Sequence, residues 1–184
     1  RPLVANSVGS TTTKLSREHT VDRPVPGFVS IAGGKYTTYR VMGKDVIDLA
    51  VNDLRRIVAE SVTEKLPAVG ADGFFALEQQ SAQLAELTGL SKSTISHLLN
   101  RYGSLISDIF EIIAEDKKMA EQLSPDLDYL KAEILYAVTH EGAQSVDDVI
   151  SRRTRIAFES SDGGESLAPI VAALIAPVLG WDAA

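Results

Sequence analysis

At 184 residues, with 45% hydrophobic and 23% charged side chains, the chain carries enough apolar mass for one domain, or a small domain with an appendage, of ordinary soluble globular profile. Its formal net charge of −7 works against nonspecific attraction to nucleic acid or an anionic membrane. The absence of cysteine excludes disulfides and thiolate metal sites.

The chain opens at Arg1-Pro2 with no charged-then-apolar leader, so its first residue reads as a cut inside a longer protein. Residues 7–13 form a small-polar tract expected as an exposed loop. Residues 19–22 fit a short strand, residues 23–27 (Arg-Pro-Val-Pro-Gly) a turn, and residues 28–32 (Phe-Val-Ser-Ile-Ala) a buried strand broken by Gly33-Gly34. From Thr37 onward, Tyr39, Gly43, Val46, Ile47, Ala50, Leu54, Ile57 and Val58 recur at helical spacing, opposite Lys44, Asp48, Asn52 and Arg55. That pattern predicts one amphipathic helix of about five turns. Pro67, Gly70 and Gly73 mark a linker over 61–72.

Beyond the linker no strand is predicted. Helices are expected over 74–87, 91–102, 104–115, 125–140, 146–158 and 167–179, with a loop at 160–165 around Gly163-Gly164. Ser124-Pro125 reads as a capping hydroxyl before a first-turn proline, and Ser145 precedes Asp147 and Asp148, whose charges suit a helix start. The run 167–179 is too short to span a bilayer and is interrupted by Pro169 and Pro177. The expected fold class is mainly α. A helical bundle domain over 73–184 follows a small α/β remnant over 1–60, made of a strand, a Gly-Gly-Lys turn and a long helix.

The chemistry-bearing stretch is Gly33-Gly34-Lys35-Tyr36-Thr37-Thr38-Tyr39-Arg40, a strand-to-helix turn. Glycines permit unusual dihedrals and close approach, a helix start offers unbonded N–H groups, and a lysine adds full positive charge. Two readings stand on these residues: an anion-accepting turn, or a purely structural one. A P-loop does not fit, because Val29 sits where its first glycine belongs and Tyr36 where its Ser or Thr belongs.

The same stretch resembles the GGK-x-TTYR signature of FAD-dependent glycerol-3-phosphate dehydrogenases and oxidases. Arg1-Pro2-Leu3 resembles the end of that family's G-x-RPL segment, and Ser16-Arg17-Glu18-His19 its S/T-R-[DE]-[HY] segment. Tyr129 to Glu141, followed by Asp147-Asp148 and Arg152-Arg153-Thr154-Arg155, resembles the family's C-terminal helical domain. The matches run in order over nearly the whole chain.

The resemblance implies the C-terminal portion of an FAD-dependent oxidoreductase that oxidises glycerol 3-phosphate to dihydroxyacetone phosphate. By motif position Gly33, Gly34, Lys35, Thr37 and Thr38 would contact FAD, while Arg1 and Lys35 would face glycerol 3-phosphate, Arg1 holding its phosphate. It further implies a membrane quinone or molecular oxygen as electron acceptor, the quinone being the expected one, and a cytoplasmic enzyme lying peripherally at the inner face of the cell membrane. The partner would be the protein's own N-terminal FAD-binding domain. The G-x-G-x-x-G fingerprint is not in this sequence. The chain alone is therefore expected to hold no complete catalytic set, to bind FAD weakly and to be inactive.

Other constellations carry milder readings. Residues 90–103, with Ser93, Thr94, Ser96, His97 and Asn100, resemble a helix-turn-helix reader of DNA, but local charge comes only from Lys92 and Arg101, so no nucleic-acid partner is expected. Arg152, Arg153 and Arg155 are expected to pair with Asp147, Asp148 or Glu141, the other reading being a docking site. His19, His97 and His140 are too scattered for a metal set and are expected at the surface or in caps. Residues 167–179 read as a closing core helix rather than a membrane contact. A noncatalytic helical docking module is the rival function, and exposed apolar strand surface is expected to favour homo-oligomers.

Overall fold

The computed structural model describes residues 18–54 and 56–182. Arg1, the loop expected over 7–13, and Ser16 and Arg17 lie outside the described residues. Two compact units divide the chain, Arg1–Leu66 and Pro67–Ala184. The division falls within the tract read as linker.

The first unit is a hairpin and a helix. Strand β1 (His19–Val25) pairs antiparallel with β2 (Phe28–Gly33), with His19 opposite Gly33 and Val25 opposite Phe28. Between them Pro26-Gly27 makes the turn. Proline presets the φ of the first central position, and Gly27 takes the positive φ of 80° that the second demands. The register slips between Asp22 and Val25, around Pro24, which has no N–H for the ladder. The expected strand at 28–32 is present but not buried: Phe28 is 55% exposed and alternate residues face outward. A two-stranded ribbon covers only one of its own faces.

After the glycine pair, a 3₁₀ turn at Tyr36–Thr38 leads into α1 (Tyr39–Val51). This helix has thirteen residues, shorter than the five turns the periodicity predicts through Val58. Its stop has a tertiary cause. Asp53, just past the end, turns back to the hairpin, pairs with Arg23 and accepts the Gly27 N–H at 2.8 Å. Leu54, Ile57 and Val58 continue the apolar spacing but leave the helix exposed. The chain then returns along α1, held where Arg40 donates to the carbonyls of Thr63 and Leu66. A groove of about 440 Å³ is left there, lined by Gly43, Ile47, Val51 and Val58 with Arg40 and Lys44.

The second unit is helical: α2 (Phe74–Gln79), α3 (Ser81–Thr88), α4 (Lys92–Tyr102), α5 (Ile106–Glu115), α6 (Lys131–Thr139), α7 (Ile156–Glu159) and α8 (Ala168–Leu179). The segment expected as one helix over 74–87 is broken at Gln80. Ser91 caps α4, its Oγ accepting the Thr94 N–H at 3.0 Å. A strand pair not expected from the sequence forms from β3 (Gln122–Ser124) and β4 (Leu127–Leu130), and β4 occupies the start of the segment expected as a helix over 125–140. Pro125 sits in its tight turn instead of at a helix start, since a fixed φ suits either place. Burial decides: as a strand, 127–130 turns Tyr129 and Leu130 inward, at 2% and 1% exposure.

Helix α6 is the centre of this unit. Ile134, Ala137 and Val138 pack with Val149, Ile150, Ile156, Val171 and Ile175 on one side. Ala132 and Tyr136 join Ile95, Leu98, Leu99, Ile106 and Ile109 of α4 and α5 on the other. The segment expected as one helix over 146–158 starts with Ser145 and Asp148 bonded reciprocally, opens into a π-helical stretch at Asp148–Arg153, and breaks at Thr154. There Thr154 Oγ1 donates to the carbonyls of Val149 and Ile150, and α7 follows as a separate turn. Helix α8 closes the core through Val171 and Ile175, as expected of 167–179. No helix of the described residues is long and apolar enough to cross a membrane.

Candidate functional site

The Gly33–Thr38 turn is built by contacts on three sides. Gly33 and Gly34 both take positive φ, 81° and 76°. Gly34 is the single buried residue among the described residues of the first unit. A Cβ built on it would stand 2.3 Å from Met42 Sδ and 3.3 Å from His19 Cβ, so the backbone lies directly on α1 and on the hairpin base. Its N–H donates to the Glu18 carbonyl at 3.3 Å.

Beyond the glycines, Thr38 locks the turn. Its Oγ1 accepts the Lys35 N–H at 3.2 Å and donates to the Lys35 carbonyl at 3.0 Å, while its own N–H donates to that carbonyl at 3.1 Å. The Tyr36 and Thr37 N–H groups, the first two of the helical run, fall outside its hydrogen-bond ladder. Lys35 and Thr37 are exposed, and the Lys35 ammonium forms no ion pair among the described residues.

The turn therefore combines an exposed cation and hydroxyl with two helix-initial amides outside the ladder, while its inner edge packs on Met42 and His19. That donor set suits an electron-rich or anionic ligand such as a flavin ring edge. Of the residues singled out from the sequence, the structure brings Gly33, Gly34, Lys35, Thr37 and Thr38 together; Arg1 lies outside the described residues. Sequence reasoning missed Met42, Asp45 and Asp53, which seat the turn and the hairpin. The helical periodicity placed none of the three on either face, and the partners of the two acids, His19, Arg23 and Gly27, lie more than twenty residues away in sequence.

The helical unit holds a second polar cluster. The Glu133 carboxylate is fully buried and accepts from the Leu130 N–H at 2.7 Å, Tyr102 Oη at 3.0 Å and His97 Nε2 at 3.0 Å, with Arg101 Nε 3.4 Å away. His97 is thus a part-buried core partner, a correction to the surface role expected of it. Facing inward, His97 and Arg101 are also committed away from the DNA-reading surface that residues 90–103 suggested. Of the basic run, Arg152 pairs with Asp147 and Asp148, Arg153 donates to the Glu141 carbonyl, and Arg155 lies 3.7 Å from Glu159. No group of three or more potential metal ligands occurs among the described residues.

Glu141 beside this cluster offers a test of burial. Its Oε2 is buried without a hydrogen-bond partner, and burial pushes its carboxyl above the ordinary 4.5, with Arg101 and Arg153 pulling partly back. A raised carboxyl favours the fold when protonated, and that contribution is lost as pH climbs from the unfolded value through the folded one. Glu141→Gln, which mimics the protonated form, is expected to melt above the wild type at pH 7 to 8. The gap should shrink toward pH 4 to 5 in thermal melts, and a gap independent of pH would refute the assignment.

Residues 61–184 match the family described as the C-terminal domain of alpha-glycerophosphate oxidase, and the chain belongs to that family. It is similar to glycerol-3-phosphate dehydrogenase 2 of Mycobacterium tuberculosis (strain ATCC 25618 / H37Rv), at 48% identity over 184 residues, all of this chain and 31% of the relative. To the mitochondrial glycerol-3-phosphate dehydrogenase of Homo sapiens it is 31% identical over 186 residues, 99% of this chain and 25% of that protein. Its fold is shared with the glycerol-3-phosphate dehydrogenase of Bacillus halodurans complexed with FAD, at a TM-score of 0.67 and 24% identity over 84% of this chain and 32% of that one. The chain spans about a third of the length of the curated relatives it matches.

Proposed function

We propose that this chain is the C-terminal part of a flavoprotein that oxidises glycerol 3-phosphate to dihydroxyacetone phosphate. The observation carrying this reading is the Gly33–Thr38 turn, whose exposed Lys35 and helix-initial amides are seated through Gly34 on Met42 and locked by Thr38, in a chain 48% identical to a dehydrogenase of that substrate. When bound, FAD supplies a two-electron acceptor for hydride from the substrate carbon. The turn's part is electrostatic. Lys35 brings a positive charge and the Tyr36 and Thr37 amides bring oriented dipoles, fixed beforehand by Gly34 on Met42 and by the Thr38 lock, so they need no rearrangement when negative charge develops. Gly33 and Gly34 keep the backbone free of side chains where a ring would approach. Arg1 is assigned to the substrate phosphate, where a planar guanidinium makes paired contacts.

The electron acceptor is read as a membrane quinone, the protein lying peripherally at the cytoplasmic face of the membrane with its N-terminal FAD-binding domain. Exposed Phe28, Ile47 and Leu54 in the first unit support burial against a further domain or a second copy.

In the full-length polypeptide, Lys35→Ala is expected to lower kcat/KM for glycerol 3-phosphate about a hundredfold, the effect of removing one preorganised charge-stabilising group. Flavin content, read by absorbance, is the control. A flavinated Lys35→Ala protein with wild-type kcat/KM would overturn the assignment.

A further inference from the structure

Helix α1 grips the hairpin at two places with the same chemistry. Asp45, one turn after Met42, accepts from His19 Nε2 at 2.7 Å. Asp53, two turns further and past the helix end, pairs with Arg23 and accepts the Gly27 N–H at 2.8 Å. These anchors hold opposite ends of one ribbon. Asp53 holds the tip, at the Pro26-Gly27 turn, remote in the hairpin from the glycine pair. Asp45 holds the base.

The base is where the functional turn is registered. His19 pairs across the ladder with Gly33, its Cβ lies 3.3 Å from the Cβ position of Gly34, and the Gly34 N–H is bonded to the neighbouring Glu18 carbonyl. The His19 side chain is only 18% exposed, with its ring committed to Asp45. Met42, on which Gly34 rests, and Asp45 lie three residues apart and so share a face of α1. One helix face thus touches the turn from below through Met42 and ties its strand through Asp45.

We infer that Asp45 and His19 are a positioning pair for the Gly33–Thr38 turn, whereas Asp53 is a strap that serves stability alone. The inference rests on the flavoprotein reading above. Loosening the pair lets the strand end carrying Glu18 and His19 shift, and Gly34 and the amides after it shift with it. The turn then favours the reduced, more negative flavin less than before. Loosening Asp53 frees the hairpin tip without moving the turn.

The test is the two-electron midpoint potential and the FAD dissociation constant of the full-length flavoprotein, for Asp45→Ala and Asp53→Ala side by side. Asp45→Ala is expected to weaken the preference for reduced over oxidised flavin about tenfold, a fall of about 30 mV for a two-electron couple. Asp53→Ala should leave the potential at the wild-type value. Asp45→Asn, which keeps an oxygen acceptor for the His19 N–H, should restore most of the loss. Should Asp45→Ala not fold, His19→Ala is read by the same titration with the same expected fall. Equal shifts from the Asp45 and Asp53 variants, or an unmoved potential in Asp45→Ala, would overturn the inference. A wild-type protein that holds no FAD would instead sink the functional reading beneath it.

Discussion

Gly103→Ala is expected to destabilise the helical unit by about 4 kcal/mol or more, at the upper end for a single substitution. Gly103 ends α4 at φ 58° and ψ −130°, a region open in practice only to glycine. Strain of that kind costs about 1–3 kcal/mol by itself. The larger part is steric. A Cβ at Gly103 would fall 1.9 Å from the Gly70 carbonyl oxygen, and that carbonyl accepts the Ser104 N–H at 2.8 Å. The opposing atom is backbone and cannot swing away like a side-chain tip. Gly70 is held in turn, since its own Cβ position lies 2.5 Å from the Tyr102 carbonyl oxygen. Any escape must separate two chain segments that meet only because both lack side chains. Gly89→Ala is the matched control, with positive φ of 73° but nothing within 4 Å of its Cβ position, and should cost about 1–2 kcal/mol. Urea titrations of both variants check this; equal midpoint shifts would remove the close approach as the cause.

Such pairings mark the boundary of what the chain discloses before folding. Gly33-Gly34-Lys35 was legible because its signal is local: two glycines, a lysine and two threonines between a β-branched run and an amphipathic one. The boundaries of α4, α5 and α8 were legible for the same reason, each having apolar periodicity with a cap or glycine beside it. Where a local signal had two solutions, a distant partner chose. Helical spacing runs on through Val58, yet Asp53 ends α1 because Arg23 and Gly27, more than twenty residues earlier, take its carboxylate. Pro125 fits a helix start or a tight turn, and the burial of Tyr129 and Leu130 selects the turn. Gly70 and Gly103 read singly as a linker residue and a helix end. Nothing in either neighbourhood announces that they touch.

Glu133 shows the same limit for charge, and its removal is the second large effect expected. The stretch Tyr129-Leu-Lys-Ala-Glu-Ile-Leu-Tyr-Ala-Val places one acid among apolar residues on every side of the helix, the one local sign of a buried carboxylate. Its side-chain partners lie on α4, more than thirty residues away. At 0% exposure an isolated carboxylate would be very costly, so its tolerance here depends on its donors. The Leu130 N–H, which α6 itself would leave unbonded, points at one oxygen. Tyr102 donates to the other, and burial, followed by the Glu133 charge, pushes its phenol far up, keeping it a neutral donor. Arg101 Nε, buried without another partner, supplies the countercharge.

Glu133→Ala strands these groups together, leaving the Leu130 N–H, the Tyr102 phenol and the His97 ring without their shared acceptor and Arg101 without the carboxylate nearest its Nε. The expected loss is about 3–5 kcal/mol, because several buried donors and a part-buried cation lose their shared acceptor at once. A double-mutant cycle with Tyr102→Phe separates the contributions. Coupling of about 1–3 kcal/mol is expected, since once the carboxylate is gone the phenol has nothing left to lose there. Strict additivity in denaturant titrations would mean that the phenol and carboxylate act independently. The joint between α4 and α6 would then be held by Leu98, Tyr136 and their apolar neighbours, with the ion cluster incidental to it.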